Sequence, residues 1–418
     1  MPKSQSRRLL AATLLAALLL TACGGPNSTR EVPAAACPAC TACPPCGTAA
    51  PTVAPTTPPP AARPLQAARW RELPGWGDDD LAAAWPAFLL SCRALASRPQ
   101  WPQWKTACDE AKGLRSPSTA SIRRFLEARL QPWLLTNPDG STGGLVTGYY
   151  EPLLRGARTR GKPYLQPVLG VPTDLLTIDL GAVLPELKTM RLRGRLDGNK
   201  VVPYYSRAEI TSREKDNPDR ALLWVDDPVE LFFLQVQGSG RVKLPDGSMT
   251  RLAYADQNGH PYQSIGRVLV DRGELTLDQV SMQGIKQWAR ANPARVGELL
   301  NANPSYVFFR EQAIKSGQNG AAEGPSGALG VPLTPERSIA VDPRHVPLGA
   351  PVFLSTSQPE STTPLRRLVL AQDTGGAIRG VVRADLFWGF GAQAGMQAGR
   401  MKQQGQMWVL LPPGAAPK

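Results

Sequence analysis

The stretch LRRLVLAQDTGGAIRG, residues 365–380, decides what fold is expected for the last quarter of the chain. An apolar run ends at Asp373 and meets Thr374, Gly375 and Gly376, which predicts a strand that stops at a glycine turn. The missing glycine side chains would let a polymer approach the backbone closely. A carboxylate held at a strand end in a cleft can be tuned for acid–base chemistry. Asp373 is therefore the first candidate catalytic residue.

Two further aspartates lie at similar junctions nearby. Asp342 is in VDPRHVPLG (341–349), and Asp385 is in RADLFWG (383–389). As supporting carboxylates they would raise the pKa of Asp373 or stabilise a positively charged transition state, but each also fits a turn or cap. A calcium site is the other reading of three carboxylates, and it lacks the Asn/Asp/Gly loop spacing that calcium sites show. With two histidines and no nucleophile motif, carboxylates are the expected catalytic groups.

Short strand-like segments around this stretch favour a barrel over a doubly wound sheet. These segments are YVFF (306–309), SIAV (338–341), APVFL (350–354), LRRLVLAQD (365–373) and MWVLLP (407–412). Earlier strands are expected at LVTGYY (145–150) and FFLQVQG (232–238), with a hairpin at 241–254. Helices are expected at about 79–97, after Pro117-Ser118-Thr119, and within 264–304. The predicted class is mainly β with accessory helices.

The N-terminus has the pattern of an export signal. A basic start and the run LLAATLLAALLL precede Leu20-Thr21-Ala22-Cys23, which resembles a bacterial lipobox. We expect a signal peptide over 1–22 and lipidation at Cys23. Gly24 in the next position favours the periplasmic face of the outer membrane. Residues 23–66 have the Pro/Ala/Thr-rich composition of a disordered tether.

The remaining cysteines fit an oxidising compartment. Cys92 and Cys108 flank a Trp-rich turn and are predicted to form a disulfide, the alternative being two free thiols on facing helices. Four more cysteines form a CxxCxxCxxC run in the tether: Cys37, Cys40, Cys43 and Cys46. Linker disulfides explain this run better than a metal, because nothing around it can fold into a core.

The formal net charge of +13 is spread over the sequence without a dense basic block. Export makes nucleic acid an unsuitable partner, whereas an anionic polymer or a membrane surface fits. The segment Gly238-Ser239-Gly240 does not fit a dinucleotide site, because a hairpin follows where a helix should begin.

Five phrases carry a family resemblance: residues 144–160, 232–248, 258–275, 303–309 and 371–380. In this order they resemble the membrane-bound lytic murein transglycosylase A family, with a C-terminal three-aspartate domain. The resemblance covers about 144–411. It implies a double-psi β-barrel catalytic domain built from 67–151 and 303–412, and an inserted substrate-binding β-domain at 152–302.

The resemblance also implies an activity: cleavage of the β-1,4 bond between N-acetylmuramic acid (MurNAc) and N-acetylglucosamine (GlcNAc) without water, leaving 1,6-anhydromuramyl ends. One carboxyl suffices, because the muramic C6 hydroxyl is the nucleophile. Asp373 would act as acid and then as base, with no cofactor or metal. Expected partners are peptidoglycan glycan strands, the membrane through Cys23, and cell-wall enzyme complexes, with no nucleic acid.

Several polar and aromatic residues are expected to line the saccharide groove, because alternate residues of a strand share one face. The predicted substrate-binding residues are Tyr149, Tyr150, Glu151, Gln235, Gln237, Gly238, Ser239, Thr374, Gly375 and Gly376. For either tyrosine, filling the core is an equally good reading. Two other functions stay open: an inverting glycosidase with Asp342 or Asp385 as base, and a non-catalytic peptidoglycan-binding lipoprotein.

Overall fold

The computed structural model describes residues 64–187, 190, 192–213, 220–314 and 324–415. The signal peptide, Cys23 and the four cysteines of the tether lie outside these described residues. Within them the α-helices are α1 Leu81–Leu95, α2 Trp101–Gly113, α3 Thr119–Arg129, α4 Arg207–Arg213, α5 Pro228–Gln237, α6 Ile265–Asp271, α7 Met282–Ala291, α8 Val296–Asn301 and α9 Gly391–Arg400. None of the helices in this part of the chain is long and apolar enough to cross a bilayer.

The strands form three sheets. They are β1 Leu65–Ala67, β2 Gln131–Leu135, β3 Gly144–Glu151, β4 Leu153–Ala157, β5 Gln166–Leu169, β6 Leu176–Ile178, β7 Leu192–Asp197, β8 Lys200–Pro203, β9 Ala221–Val225, β10 Ser239–Lys243, β11 Met249–Gln257, β12 Val307–Gln312, β13 Ser338–Val341, β14 Pro351–Ser357, β15 Pro364–Asp373, β16 Ala384–Phe390 and β17 Lys402–Leu411. The class is mainly β with accessory helices, as predicted from the sequence.

The largest sheet joins early strands to late ones. Its order is β1-β2-β17-β14-β15-β13-β16-β3, and β17 also pairs with β3. That extra pairing closes β17, β14, β15, β13, β16 and β3 into a ring. Two of its contacts are parallel, β13 with β15 and β16 with β3. Closure leaves no free edge in the ring. It brings the middle of β3, the last residue of β15 and the start of β16 together at one site.

Helices α1 to α3 pack on this sheet through a shared apolar core. Phe353, in β14, is completely buried, and Trp85 and Phe88 of α1 belong to the same core cluster. A disulfide joins Cys92 of α1 to Cys108 of α2, with Cα atoms 5.4 Å apart. The predicted disulfide is thereby confirmed. The turn between the two helices is limited to residues 96–100, and Trp101 and Trp104, which were expected in this turn, lie in α2.

A buried ion pair fixes the start of α1 to the ring. Arg337 Nη1 donates to both carboxylate oxygens of Asp79, each at 2.9 Å, and the Leu368 N–H donates to Asp79 Oδ2 at 2.7 Å. Asp80 then caps α1 by accepting from the Ala82 N–H. The acidic run before this helix is thus divided between tertiary anchoring and helix capping.

The middle of the chain forms a second, six-stranded sheet of order β12-β11-β10-β4-β9-β5. Helix α5 packs on it through Leu231 and Leu234, and the other side of α5 meets α6, α7 and α8 through Phe232 and Phe233. The predicted hairpin at 241–254 is confirmed by the antiparallel pairing of β10 with β11. The third sheet, β6-β7-β8, is a small antiparallel meander over residues 176–203.

The strand expected at 232–238 is wrong, because these residues end helix α5. Asp227 accepts hydrogen bonds from the N–H groups of Val229 and Glu230, and Pro228 occupies the first helical position. Gly238, at φ 79°, ends the helix in the left-handed conformation. The apolar run has a strand-like composition because this helix is buried on two sides. The Asp-Pro start and the Gly stop were the helix signals in the sequence.

Candidate active site

Asp373 is the last residue of β15 and is half-buried at the open end of the strand. Its Oδ1 accepts hydrogen bonds from the backbone N–H groups of Ala328 and Thr374, each at 2.9 Å. Its Oδ2 accepts from the hydroxyl of Tyr149 at 2.9 Å. Backbone N–H groups therefore orient Oδ1, while Oδ2 is bound by a hydroxyl from strand β3.

The loop formed by residues 324–333 lies against β15 and supplies one of these donors. The Leu329 N–H donates to the Gln372 carbonyl at 3.0 Å, and Arg98 Nη2 donates to the Leu329 carbonyl at 3.2 Å. A Cβ on Gly327 would lie 2.5 Å from the Gln372 carbonyl oxygen. Only glycine permits this close approach, so Gly327 helps to bring the Ala328 N–H to Asp373.

Tyr149 lies close enough to Asp373 and Asp385 for both of their charges to affect the pKa of its hydroxyl. It is buried on β3, and its ring lies 5.2 Å from that of Phe387 on β16. Burial raises the pKa of Tyr149 well above its ordinary value, and the charges of Asp373 and Asp385 raise it further. The hydroxyl consequently remains protonated at neutral pH and can donate to Asp373.

Asp385 faces the same group of residues from β16. Thr147 lies opposite it in the register and donates its hydroxyl to Asp385 Oδ1 at 2.7 Å. Arg383 Nη2 donates in turn to Thr147 Oγ1 at 2.9 Å. Burial raises the pKa of Asp385 to about 6; the Thr147 hydrogen bond and the Arg383 charge oppose the shift, and Asp373 adds to it. Asp385 thus titrates close to neutrality beside Asp373.

Asp342 has a different environment. It is completely buried, and Arg344 binds it with two bonds, Nε to Oδ1 at 3.0 Å and Nη2 to Oδ2 at 2.6 Å. The Gly380 N–H also donates to Oδ2, at 3.0 Å. Burial alone would raise the pKa of Asp342, but the bonds from Arg344 and from the backbone hold it well below its usual range. These contacts fit the turn-stabilising role better than a role beside Asp373.

Glu151 does not line a groove, which corrects the expectation from its position after the tyrosines. Its side chain is completely buried. Arg241 Nε donates to Oε2 at 2.8 Å and Arg251 Nε donates to Oε1 at 2.5 Å. Glu151 and these two arginines form a buried ionic cluster that ties β3 to β10 and β11.

Tyr150 is likewise a core residue rather than an exposed stacking platform. It is 7% exposed, and its ring lies against Gly395 of α9, where a Cβ would come within 2.8 Å of the ring. Its hydroxyl contacts Met282 Sδ at 3.4 Å. Of the two adjacent tyrosines, only Tyr149 reaches the aspartates, because neighbouring residues of a strand point to opposite faces.

The predicted glutamine face at 235–237 is also corrected, because these residues lie in helix α5 rather than in a strand. Gln235 is 5% exposed and Gln237 Oε1 accepts from the Tyr150 N–H at 3.1 Å. Gly238 is the C-cap of the helix, and Ser239, half-exposed, begins β10. Gly238 has open space beside it, so Gly238 and Ser239 stay predicted substrate-binding residues.

The turn after Asp373 retains the open character expected from its glycines. Thr374 and Gly375 are half-exposed and Gly376 is exposed, with no atom within 4 Å of the place a Cβ would take. No side chain therefore occupies the space beside Gly376 in this turn. Among the described residues, no three His, Cys, Asp or Glu side chains are grouped so as to hold a metal ion.

Three contributors to the site were not predicted: Thr147, Arg383 and the Ala328 N–H. Thr147 stands in LVTGYY on the same strand face as Tyr149, so period-two alternation was a signal for it. The other two had none, since their roles depend on contacts made only in the folded chain.

Two family models match the chain, the MltA specific insert domain over residues 145–310 and the 3D domain over residues 337–411. The membrane-bound lytic murein transglycosylase A of Escherichia coli K12 is 32% identical over 71% of this chain and 73% of its own length. The chain belongs to the membrane-bound lytic murein transglycosylase A family. A Vibrio cholerae member of this family is also 32% identical, over 71% and 77% of the two chains.

Solved structures of the family have the same fold. MltA from Neisseria gonorrhoeae superposes with a TM-score of 0.72 at 39% identity, covering 85% of this chain and 94% of its own. A lytic murein transglycosylase from Agrobacterium tumefaciens gives 0.73 at 31% identity, covering 83% and 97%. E. coli MltA with bound chitohexaose gives 0.64 at 27% identity, covering 84% and 96%. As a member of the family, the chain is an enzyme of the lytic murein transglycosylase class.

Proposed function

We propose that this family member cleaves the β-1,4 bond between MurNAc and GlcNAc of peptidoglycan without water, producing 1,6-anhydromuramyl ends. The observation that carries the proposal is the half-buried Asp373, whose carboxyl is hydrogen-bonded to Tyr149 and which lies next to the turn at Gly376, where a Cβ would meet no atom. A family member from E. coli has been solved with bound chitohexaose, an oligosaccharide, which supports a glycan as the substrate.

In the first step, Asp373 donates its carboxyl proton to the glycosidic oxygen. The bond from C1 of MurNAc to that oxygen breaks, and its electron pair stays with the leaving GlcNAc hydroxyl. Positive charge then develops at C1 and the ring oxygen, as in other glycosidic cleavages. The carboxylates of Asp373 and of ionised Asp385 are the nearby negative charges that stabilise it.

In the second step, the C6 hydroxyl of the same MurNAc attacks C1. Asp373, now a carboxylate, accepts the hydroxyl proton as the new C6–O–C1 bond forms. The carboxyl is thereby restored and no water is consumed. The backbone donors on Oδ1 hold the group in place through both steps, and the Tyr149 hydroxyl can donate to Oδ2 whenever it is ionised.

In this scheme Asp385 does not transfer a proton to or from the substrate; its negative charge stabilises the positive charge that develops at C1. An inverting glycosidase needs a second carboxylate to activate water. Asp342 is unsuited to this task because it is completely buried and bound by Arg344. Asp385 is engaged by Thr147. The transglycosylase reaction fits the site because it needs only one carboxyl that reaches the substrate.

The test is mass analysis of products released from purified sacculi by the wild type and by Asp373→Asn. We expect the wild type to release muropeptides that lack a reducing end and are one water lighter than hydrolysis products. Asp373→Asn should bind sacculi and release almost nothing. Asp271→Asn is a matched control, because Asp271 forms only an exposed ion pair with Arg267 on a surface helix. Reducing muramic ends would refute the proposal, and so would unchanged release by Asp373→Asn.

We also propose that the ring of six strands is a double-psi β-barrel. The catalytic domain would comprise 67–151 and 303–412, and the substrate-binding domain 152–302. This division is supported by a ring that takes β3 from one end of the chain and β13 to β17 from the other. Its two parallel strand pairs support the barrel topology.

The chain is further proposed to be a lipoprotein anchored at Cys23 on the periplasmic face of the outer membrane, where cell-wall enzyme complexes would be its neighbours. The names of its relatives, which call them membrane-bound, support an anchor. Mass measurement of the mature N-terminus tests it. We expect lipid on Cys23 and release of Cys23→Ser to the soluble fraction; an unmodified mature N-terminus would refute it.

A further inference from the structure

The small sheet β6-β7-β8 contacts the rest of the chain with its polar face. Arg193 Nε donates to Asp256 Oδ1 at 2.9 Å, and the Arg195 guanidinium lies 4.5 Å from the Tyr205 ring centre. These arginines are two apart on β7 and so share a face. The Gly259 backbone lies close beneath, since a Cβ there would be 2.8 Å from the Arg193 Cβ. The arginine-bearing face is therefore the one that packs inward.

The opposite face of the sheet carries only apolar residues. Residues paired across an antiparallel ladder lie on the same side of the sheet. The register pairs Leu176 with Gly194, Ile178 with Leu192, Leu196 with Val201, and Gly194 with Pro203. We refer to these positions as the apolar face: Leu176, Ile178, Leu192, Gly194, Leu196, Val201 and Pro203.

The apolar face is exposed toward the β7–β8 turn. Leu196 is 62% exposed and its cross-strand partner Val201 is 53% exposed. The connection from β6 to β7 adds Val183 at 79% and Met190 at 55%. None of these four belongs to a hydrophobic core cluster of the described residues. A sheet with its charged face packed inward and its aliphatic face outward is typical of an interaction surface.

We propose that the apolar face docks onto the phospholipid surface of the membrane that holds the chain, as a second attachment besides the lipid at Cys23. Leu196 and Val201 would enter the boundary between headgroups and acyl chains. This inference goes beyond the murein-cleaving activity and rests on the proposed anchor. Two attachments restrict how the folded part rotates relative to the membrane more than a single attachment does.

The chain that precedes the structure supports a lipid occupant. Between Cys23 and the first described residue, Pro64, lie residues 24–63, which is 63 − 23 = 40 residues. Their Pro/Ala/Thr-rich composition predicts a tether, and a flexible coil of this length would have a root-mean-square span of about 35 Å. The bilayer surface is then at a high effective concentration for the folded part, so a weak apolar contact is sufficient to bind.

The chemistry of the apolar face also favours lipid over protein. Protein–protein hot spots are enriched in Trp, Tyr and Arg, whereas the apolar face presents only aliphatic side chains, Gly194 and Pro203. Without Lys3, Arg7 and Arg8 of the signal peptide, the mature chain carries a net charge of 13 − 3 = +10, which adds a long-range attraction to anionic headgroups. Aliphatic insertion with general cationic attraction is the usual combination for peripheral membrane binding.

The test is flotation of the mature Cys23→Ser chain with vesicles of phosphatidylethanolamine and phosphatidylglycerol. Without its lipid, the chain binds only through its own surface. We expect measurable partitioning, lowered roughly tenfold or more by Leu196→Ser with Val201→Ser, because two half-exposed aliphatic side chains lose their transfer free energy. Leu277→Ser is the matched control, because Leu277 is 70% exposed and lies outside the sheet. A wild-type circular dichroism spectrum and an unchanged melting temperature show that the double variant folds.

Absence of vesicle binding by the Cys23→Ser chain would overturn the proposal, as would equal binding by the double variant. Concentration-dependent dimers in sedimentation, lost in the double variant and unaffected by vesicles, would identify a second copy as the occupant and also overturn it. Vesicle binding that depends on Leu196 supports docking by the apolar face, whereas an unmodified Cys23 would overturn only the statement that this docking is a second attachment. The anchor and the apolar face are thus tested separately, and neither test depends on murein cleavage.

Discussion

Replacement of Glu151 by Gln decides between the role suggested by the sequence and the role shown by the structure. As a groove residue, Glu151 would contribute to glycan binding and little to stability. In the structure it is completely buried between Arg241 and Arg251, whose side chains are 7% and 3% exposed. Glu151→Gln keeps the shape but removes the charge that compensates two buried guanidinium groups. We therefore expect a loss of stability rather than a specific loss of binding.

The magnitude follows from the contacts. Three hydrogen bonds connect the carboxylate to the two arginines, at 2.5, 2.8 and 3.3 Å. Breaking a buried ion pair by removing one partner typically costs about 3–5 kcal/mol, because the other charge stays buried. We expect Glu151→Gln to lower the free energy of unfolding by about that amount, measured by urea denaturation followed by circular dichroism.

The matched control is Glu311→Gln in the same six-stranded sheet. Glu311 receives two bonds from Arg158, but the Arg158 side chain is 53% exposed, so the expected loss is under about 1 kcal/mol. If Glu151→Gln proved as stable as this control but bound sacculi weakly, the buried-cluster interpretation would be refuted. The groove role expected from the sequence would then be correct.

Three other predictions concern the site and the helices. Tyr149→Phe removes the hydroxyl that donates to Asp373 and should lower kcat about tenfold or more with little change in KM, as measured by muropeptide release. Because burial raises the folded-state pKa of Asp385 to about 6, its contribution to stability is present below pH ~4 and lost as pH rises through 6. Asp385→Asn should therefore melt higher than wild type at pH 7, but not at pH 4, while losing activity. Replacing both Cys92 and Cys108 by Ala opens a loop with a sequence separation of 16 and should cost about 3 kcal/mol in denaturant unfolding.

The elements that were predictable from the sequence are those whose boundaries are set by neighbouring residues, such as a glycine turn or a helix cap. Strand β15 ends where Gly375 and Gly376 begin, and α1 starts where Asp80 caps it, so composition and capping placed both. Helix α5 was mistaken for a strand because a helix covered by a sheet on one side and helices on the other has no polar face. Its periodicity was hidden by tertiary burial, and only the caps at Asp227 and Gly238 marked it.

The environment of Glu151 could not be read from the sequence. Its partners are 90 and 100 residues further along the chain, and neither arginine stands in a recognisable motif. The local sequence, a Glu that follows two tyrosines, is compatible with a saccharide groove and with a buried ionic cluster alike. Only the parallel pairing of β10 with β4, next to β3, brings Arg241 to the carboxylate. Burial of a charge is thus a property of topology rather than of local pattern.

Asp342 and Asp385 differ in pKa because their hydrogen-bond partners differ, one partner being near in sequence and the other remote. The partner of Asp342 is Arg344, two residues on, so Val-Asp-Pro-Arg already contained the signal that its charge is neutralised. Asp385 meets Thr147 across 238 residues, so the raised pKa that sets it apart arises only in the fold. Asp342 is a permanent anion paired to a permanent cation, and neither can exchange protons near neutral pH. Asp385 changes charge in that range, beside Asp373, so the pH dependence of the enzyme should follow Asp385 and be insensitive to the Asp342–Arg344 pair.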